Sequence, residues 1–430
     1  MQLAQETETR NPALRVATEL GTLIGADRLR TPEGCEAQAA DVIVEPRSAD
    51  EIAKIVFKCE VDGISLAPLG DARTLSELRR EHVTLGLSLA RMARVIAYEP
   101  DDMTVTAEAG VTLGALNQLM APRRQHLPLD PSNPGNVTLG ALIGAAKAGP
   151  LRLSEGTVRD LMIGVRFVGH GGRIVHGGGR VVKNVAGYDL MKVMTGSYGT
   201  LGIVFEATFK VRPMPERYTL AALTCGSPAA AFEAATRIHD TLPLVHLEVL
   251  SPGIAQNLGI ASEQFGVIAG LCGNREEIDY QADQIRSCAD GAGIEIVQLA
   301  TALRLYQRLR DYTLPVPGIA AQVATPPAAL ARCLQDCNVE FRAHAGCGVA
   351  ELFVPGEPPA EEAVKLVARW REIAAGARGH LRLLGAPASI RAELDFFGAP
   401  SAGVLKLSRR LKAAFDPAGI FNPGCFIGGI

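Results

Sequence analysis

Two apolar periods alternate through the first half of the chain. DVIVEP, residues 41–46, has the β-branched texture of a strand. Ser48 followed by Glu51 supplies a capping box that opens a helix through DEIAKIVFKCEV, and ISLAPLG then reads as a buried strand. This predicts a βαβ opening after a lead-in helix within residues 11–30. HVTLGLS, VIAYEP and MTVTAEAG are further short strands, Thr112 caps a helix running to about Arg123, and TLGALIGAAKAG predicts a helix of small residues. LMIGVRFVGHGGRIVHGG predicts a hairpin turning at His170-Gly171-Gly172.

Pro213 and Pro215, in VRPMPER, end the strand that starts at Gly202. Beyond them come strand YTLAALTCG, a helix from Ser227-Pro228, strands HLEVLS and QFGVIAGLC, a helix capped by Asn274 with Glu277, and strand IEIVQLA. Residues 318–384 repeat this βαββαβ order, from IAAQVA to HLRLLG. Two ferredoxin-like units in tandem predict one antiparallel sheet with helices on one face. The last helix, in GVLKLSRRLKAAFDP, puts Val404, Leu407, Leu411 and Phe415 on one face and Lys406, Arg409, Arg410 and Lys412 on the solvated side, and stops at Asp416-Pro417. The expected fold class is α+β. Its units are a lead-in helix at 1–37, a first domain at 38–216, a second at 217–395 made of the two ferredoxin-like units, and a C-terminal helix and loop at 396–430.

Composition narrows the function. Lys and Arg number 43 against 46 Asp and Glu, and aromatics make up 5%, so neither a basic field nor a stacking platform marks a nucleic-acid binder. MQLAQETETR lacks the apolar core of a secretory signal. The longest uncharged stretch, Tyr312 to Ala331, holds Pro315, Pro317, Pro326 and Pro327, which argues against a membrane span and for a cytoplasmic chain. Of nine cysteines only Cys333 and Cys337 lie close, so no disulfide framework and no metal or cluster ligand set is expected.

Gly196, Gly199 and Gly202 stand three apart in VVKNVAGYDLMKVMTGSYGTLGIV, residues 181–204. A dinucleotide fingerprint joins a strand to a helix whose N-terminus meets the pyrophosphate. Here position 198 is Tyr, and a strand, IVFEATFKV, follows Gly202. The glycines therefore mark turns or close backbone approach. Four more Gly/Pro-rich loops, APLGDARTL (67–75), EAGVTLG (108–114), PLDPSNPGNVTLGAL (128–142) and SEGTVRDLMIG (154–164), offer backbone N–H groups rather than reactive side chains. A buried pyrophosphate gains about 1.5–3 kcal/mol per charge-assisted bond to such groups, so an extended anionic cofactor threaded through the loops accounts for the pattern.

GYDLMKVMTGSYGTLGIV, EGTVRDLMIGVRFV and the terminal FDPAGIFNPG together resemble the FAD-binding oxidoreductases of the vanillyl-alcohol oxidase/PCMH type. With AGPLRLSEGTVRDL and GGRVVKNVAGYDL added, the chain is especially similar to the FAD-binding E-type subunits of bacterial glycolate oxidases, over about residues 38–216 and 400–425. The likeness implies a PCMH-type fold in which FAD lies extended between two α+β subdomains beneath a cap. It makes Pro68, Leu69, Gly70, Asp71, Ala72, Arg73 and Thr74 the pyrophosphate loop. Relatives read P-x-G-G-G-T there, and Asp71 repels a diphosphate unless Arg73 offsets it. Pro128, Leu129, Asp130, Pro131, Thr138, Leu139 and Gly140 would line the diphosphate and flavin side. Gly156, Thr157 and Val158 would meet the flavin, and Gly202, Ile203 and Val204 the adenine end. Asn422, in FNPG, would approach the flavin ring. With no His in the first loop to bond the flavin, the FAD is expected to be non-covalent.

The same likeness implies oxidation of glycolate to glyoxylate, or of another small 2-hydroxy acid. The partners implied are a second flavin subunit and an iron–sulfur subunit that takes the electrons, with the complex peripheral at the inner membrane through those partners. Catalytic siblings carry H-x-G-D-G-N-x-H in the cap, which supplies metal ligands. Here the stretch reads HAGCGVAE: His344 and two glycines stand, while Cys347, Val349 and Glu351 hold the Asp, Asn and second His positions, so no metal site is expected. Oxidising a 2-hydroxy acid needs a cation for the carboxylate and a base for the hydroxyl. Lys183, Tyr188, His344, Arg342 and His380 are the candidates, and spacing does not choose among them. A self-sufficient dehydrogenase of another acid, and an electron-relay or assembly subunit without turnover, stay open.

Overall fold

Ser48 starts the first long helix in the predicted way. In the computed structural model, which describes residues 12–70, 82–179, 187–260, 263–288, 293–297, 299–313 and 317–430, the Ser48 hydroxyl accepts from the backbone N–H of Glu51 at 3.2 Å. The helix, Ala49–Asp62, buries Ile52, Ile55, Val56 and Cys59. They pack in one apolar core with Val44, Leu66, Leu85 and Leu87 of a four-stranded sheet. Its strands run in the order Leu29–Arg30, Ala40–Val44, Val83–Leu87, Leu66–Pro68; the last three are parallel, as a helical crossover requires.

The second sheet is antiparallel, in the order Val95–Glu99, Thr104–Glu108, Ile203–Lys210, Met162–Gly169, Arg173–Gly178. The predicted hairpin turns through Gly171 and Gly172, both left-handed. A β-carbon on Gly172 would sit 2.4 Å from the Ala53 carbonyl, so the turn packs against the first helix only because it carries none. TLGALIGAAKAG yields a shorter helix than predicted, Leu139–Gly144, after which Ala146 turns left-handed.

The two βαββαβ runs merge into one eight-stranded antiparallel sheet, in the order Gly293–Val297, Arg217–Cys225, Phe265–Gly273, His246–Leu250, Glu340–His344, Val349–Pro355, Gly318–Ala324, His380–Gly385. The runs meet where His246–Leu250 pairs with Glu340–His344. Helices Pro228–Thr241, Arg275–Cys288, Pro327–Cys337 and Ala360–Gly376 cover one face around the fully buried Trp370. Cys333 and Cys337 sit in this layer as buried, free thiols. Helices were expected on that face alone. Instead Pro252–Leu258 and Leu299–Arg310 cover part of the other face, through Leu250, Ile254, Ile268, Leu309 and Phe353. The remainder of that second face carries polar side chains.

The final helix, Ala402–Phe415, ends at Asp416 as predicted, but only part of its apolar face is covered: Phe415 stacks on Phe167, while Val404 and Leu407 are 49% and 58% exposed. Lys412, expected in solvent, turns inward. Its Nζ lies 2.8 Å from the carbonyls of Thr200 and Phe421 and 2.7 Å from Asp416, which itself accepts from the N–H groups of Ile420 and Phe421. That knot sets the terminal loop beside Leu66–Pro68, where Leu66 donates to Ile420 and Asn422 donates to Leu66, each at 2.8 Å. No helix among the described residues is long and apolar enough to cross a membrane.

Candidate functional site

Between the first two sheets runs a cleft of about 940 Å³, continuous with solvent. Its lining comes from four chain turns brought together: Pro68–Gly70, Leu87–Ala90, Ala109–Gly110 and the stretch from Thr138 to Ala145, closed by Ser197–Gly199, Gly202 and Val204. Among the described residues none of these side chains is charged. The loops approach as closely as main chain allows. A β-carbon on Gly110 would lie 2.0 Å from the Leu89 carbonyl, and one on Gly199 would lie 2.2 Å from the Pro68 ring. Thr138 fastens two of the turns, accepting from Ala141 N–H at 3.2 Å as a helix cap and donating to the Gly70 carbonyl at 3.3 Å.

Of the glycines three apart, Gly199 and Gly202 close one wall. Gly196, Gly199 and Gly202 have φ of 77°, 69° and 148°, and Tyr198 between them is also left-handed at 52°, a strained state for a residue with a side chain. Three contacts hold Tyr198 there: its N–H donates to the Gly144 carbonyl at 2.8 Å, its carbonyl accepts from Asn422 Nδ2, and its hydroxyl oxygen accepts from Arg382 Nη1 at 2.6 Å.

Of the expected cofactor residues, Pro68, Leu69, Gly70, Thr138, Gly140, Gly202 and Val204 line the cleft. Leu139 and Ile203 are fully buried behind its wall, and Asn422, also fully buried, stands behind Tyr198. Gly156, Thr157 and Val158 are engaged locally: Thr157 and Asp160 form a capping box over the turn Val158–Leu161. Pro128, Leu129, Asp130 and Pro131 form a loop whose Asp130 faces the large sheet. Asp71, Ala72, Arg73, Thr74 and Lys183 lie outside the described residues. Sequence reasoning missed Leu87–Ala90, Gly144, Ala145 and Ser197 as lining; no residue pattern in SLA, 88–90, sets it apart from any strand end.

The polar remainder of the large sheet forms a row. Glu248 pairs in register with His344, and Arg342, Glu351, Gln322 and Arg382 stand directly opposite one another across four strands. His344 Nδ1 lies 2.8 Å from Glu248 Oε1, Arg342 is ion-paired with Glu351 and donates to the Leu309 carbonyl, and Arg382 Nε donates to Gln322 at 3.2 Å. Arg382 thus joins the row to the cleft through Tyr198. At the other end Tyr218 OH lies 2.7 Å from His246 Nε2. Gly270 gives that ring its room, because a β-carbon there would come within 2.4 Å of it. The Tyr306 hydroxyl donates to Asp130, which also accepts from Leu151 N–H at 2.9 Å.

Burial governs the electrostatics here. It pushes the Asp130 carboxyl up to about 6, against the opposing effect of its Tyr306 and Leu151 hydrogen bonds. It raises Glu248 well above the usual carboxylate range, lowers His344 well below the usual imidazole range, and pushes His246 down to about 3. His344, one of the catalytic candidates, is half satisfied among the described residues: Nδ1 is bonded, Nε2 is not. Arg342 belongs to the same cluster. Tyr188, 91% exposed, and His380 are surface residues. Glu351, in the place of the siblings' second histidine, is taken up by Arg342. Among the described residues no three His, Cys, Asp or Glu side chains converge as metal ligands.

Comparison with known proteins agrees with this architecture. Residues 40–178 match the family model of the FAD binding domain, and residues 400–425 match that of the C-terminal domain of FAD linked oxidases. The chain is 29% identical over 338 residues to the glycolate oxidase subunit GlcE of Escherichia coli (strain K12), covering 77% of this chain and 83% of that one. It is 26% identical over 433 residues to the mitochondrial D-lactate dehydrogenase [cytochrome] of Arabidopsis thaliana, covering 90% and 73%. The solved 4-ethylphenol oxidase from Gulosibacter chungangensis superposes with a TM-score of 0.69 at 17% identity, over 95% of this chain and 96% of that one. The glycine-walled cleft therefore lies mostly within a segment that matches the FAD binding domain, backed by a segment that matches the C-terminal domain of FAD linked oxidases, and the fold is that of the 4-ethylphenol oxidase.

Proposed function

We propose that this chain is the FAD-binding subunit of a complex that oxidises glycolate, or a closely similar small 2-hydroxy acid, and passes electrons through a second flavin subunit to an iron–sulfur subunit. One observation carries the reading. Tyr198 lines the cleft, and its hydroxyl oxygen is held by Arg382 of the polar row, so a nucleotide cleft and a set of buried cations, carboxylates and imidazoles share a wall. The likeness to the glycolate oxidase subunit GlcE over most of both chains supports the substrate class.

The cleft fits FAD in kind. Its lining side chains are uncharged, and its loops meet so closely at Gly110 and Gly199 that only main chain is presented there. An elongated molecule with flat rings and a diphosphate is held by such N–H groups and apolar walls. In this reading Pro68–Thr74 holds the diphosphate, Thr138 and Gly140 flank it, and Gly202–Val204 receives the adenine end. Bound FAD supplies the acceptor for the hydride of the hydroxy acid, and it is held without a covalent bond. Asn422 keeps Tyr198 in place on the cleft wall.

A second reading, a self-sufficient dehydrogenase of another 2-hydroxy acid, rests on the 90% of this chain that aligns with the plant D-lactate dehydrogenase. One experiment separates the two. The chain is purified alone and with its co-purifying subunits, and glycolate or D-lactate is added under anaerobic conditions while flavin absorbance is followed. Bleaching only in the presence of a cysteine-rich partner supports the complex; bleaching of the isolated chain by D-lactate supports the second reading. Yellow colour remaining on the protein after acid precipitation would overturn the non-covalent assignment.

A further inference from the structure

His344 has one ring nitrogen bonded and one free. Nδ1 lies 2.8 Å from Glu248 Oε1, while Nε2 and Glu248 Oε2, both out of reach of solvent, have no hydrogen-bond partner among the described residues. The two side chains are 2% and 0% exposed. Buried polar atoms are seldom left unpaired, and a catalytic role is one of the causes that leave them so. The surroundings are not those of an ordinary core pair. Arg152, Asp130, Arg342, His246, Glu351 and Cys347 face it from the helical turn Arg152–Glu155, the loop at Asp130, the sheet itself and the turn after His344.

The same chain segment reaches both the cleft and the pair. Gly144 and Ala145 line the cleft, and a few residues on Leu151 bonds Asp130. Leu153 lies so near the turn after His344 that a β-carbon on Gly346 would come within 2.7 Å of it. The pair therefore sits at the joint between the FAD binding domain and the large sheet, where the charges of Arg152 and of Arg342, itself ion-paired with Glu351, act on it. An imidazole backed by a carboxylate is an arrangement that takes a proton from an oxygen.

Building on the 2-hydroxy-acid reading above, we propose that Glu248 and His344 are the proton-accepting pair for the substrate's 2-hydroxyl group, with His344 Nε2 as the atom that touches that oxygen. In the accepting form Glu248 is ionised and takes the Nδ1–H bond, which leaves the Nε2 lone pair free. The substrate O–H bond breaks and its proton bonds to Nε2, while the Nδ1 proton passes to Glu248. The C2 hydrogen leaves with its electron pair to the oxidant, the bound flavin, and C2=O forms. The pair ends as a carboxylic acid donating to Nδ1, with Nε2 carrying hydrogen. Burial favours that protonated product form, so the forward reaction gains from higher pH and the reverse from lower.

The test uses the FAD-loaded protein with its co-purifying subunits, glycolate and D-lactate as probes, and stopped-flow bleaching of the flavin between pH 6 and 9. The wild-type rate is expected to rise about tenfold per pH unit to a plateau, and Glu248→Gln and His344→Gln to lower it about 100-fold or more without that rise. Nitrogen NMR of the 15N-histidine-labelled protein gives a second readout that needs no turnover: His344 stays neutral from pH 6 to 8, and its two nitrogen shifts change in Glu248→Gln. If wild type is bleached but its rate is flat with pH, or His344→Gln stays within threefold of it, this pair is not the acceptor while the substrate reading stands. If no 2-hydroxy acid bleaches the wild type, the substrate reading fails and this proposal falls with it.

Discussion

The side-chain amide of Asn422 donates to the backbone carbonyl of Tyr198, more than 200 residues earlier in the chain, with Asn422 fully buried. Through this bond the C-terminal loop holds a left-handed residue on the cleft wall. Asn422→Leu removes the donor and leaves a buried carbonyl unpaired. We expect a loss of about 1–3 kcal/mol in urea unfolding, together with weaker retention of flavin on gel filtration. Unchanged flavin content would mean that the loop does not shape the cleft.

Gly144 and Gly199 both line the cleft, but a methyl group meets opposite surroundings at the two. Nothing lies within 4 Å of a β-carbon on Gly144, which ends the helix Leu139–Gly144. Gly144→Ala is therefore expected to leave the flavin-free protein as stable, or more stable by up to about 1 kcal/mol, while weakening FAD on the order of tenfold. Gly199→Ala meets the Pro68 ring and a positive φ, and should lower thermal stability with or without flavin. Calorimetric melting and a flavin titration distinguish the two patterns.

Asp130 gives a pH-dependent prediction. With its folded value pushed up to about 6, the folded chain holds a proton that the unfolded chain has lost at intermediate acidity. Stability from this group is therefore greatest below about pH 4 and declines as pH rises towards 6. The decline is about 3 kcal/mol at neutrality. Asp130→Asn keeps an acceptor for Tyr306 and removes the charge. It should match the wild type in urea near pH 4 and exceed it by about 2–3 kcal/mol at pH 7.5. Equal stability at both pH values would show that the carboxyl is not held neutral.

Arg342 and Glu351 are both largely buried, and each is the other's charge partner. Removing either alone strands a charge, so Arg342→Met and Glu351→Leu should each cost about 3–5 kcal/mol. The double variant should cost less than the two together, and a double-mutant cycle in chemical denaturation measures the difference. Additive losses would mean that the two side chains act independently.

Much of this molecule could be read from residue pattern because one buried face per strand leaves a clear period. Strands such as Ala40–Val44 and the hairpin at Gly171 followed from spacing and turn chemistry alone. The cleft was legible only in part. Its contacts are made by main chain, and a glycine in SYGTLG carries no mark of the proline it will meet. The polar row was harder still. Glu248, His344 and Gln322 interrupt apolar strands by one residue each, a signal present in HLEVLS and VEFRAHA, but only the pairing of distant strands brings them together. Helix Leu299–Arg310 went unpredicted because it covers a second face that periodicity assigns to solvent.

The central pair of strands in the large sheet limits how this molecule can be divided. His246–Leu250 belongs to one repeat and Glu340–His344 to the other, so Glu248 and His344 come from opposite copies. Each copy possesses half of the dyad and neither possesses the whole. Recombination that exchanges one copy for a foreign homologue, or a split of the gene between them, separates an acid from its imidazole unless both halves are inherited together.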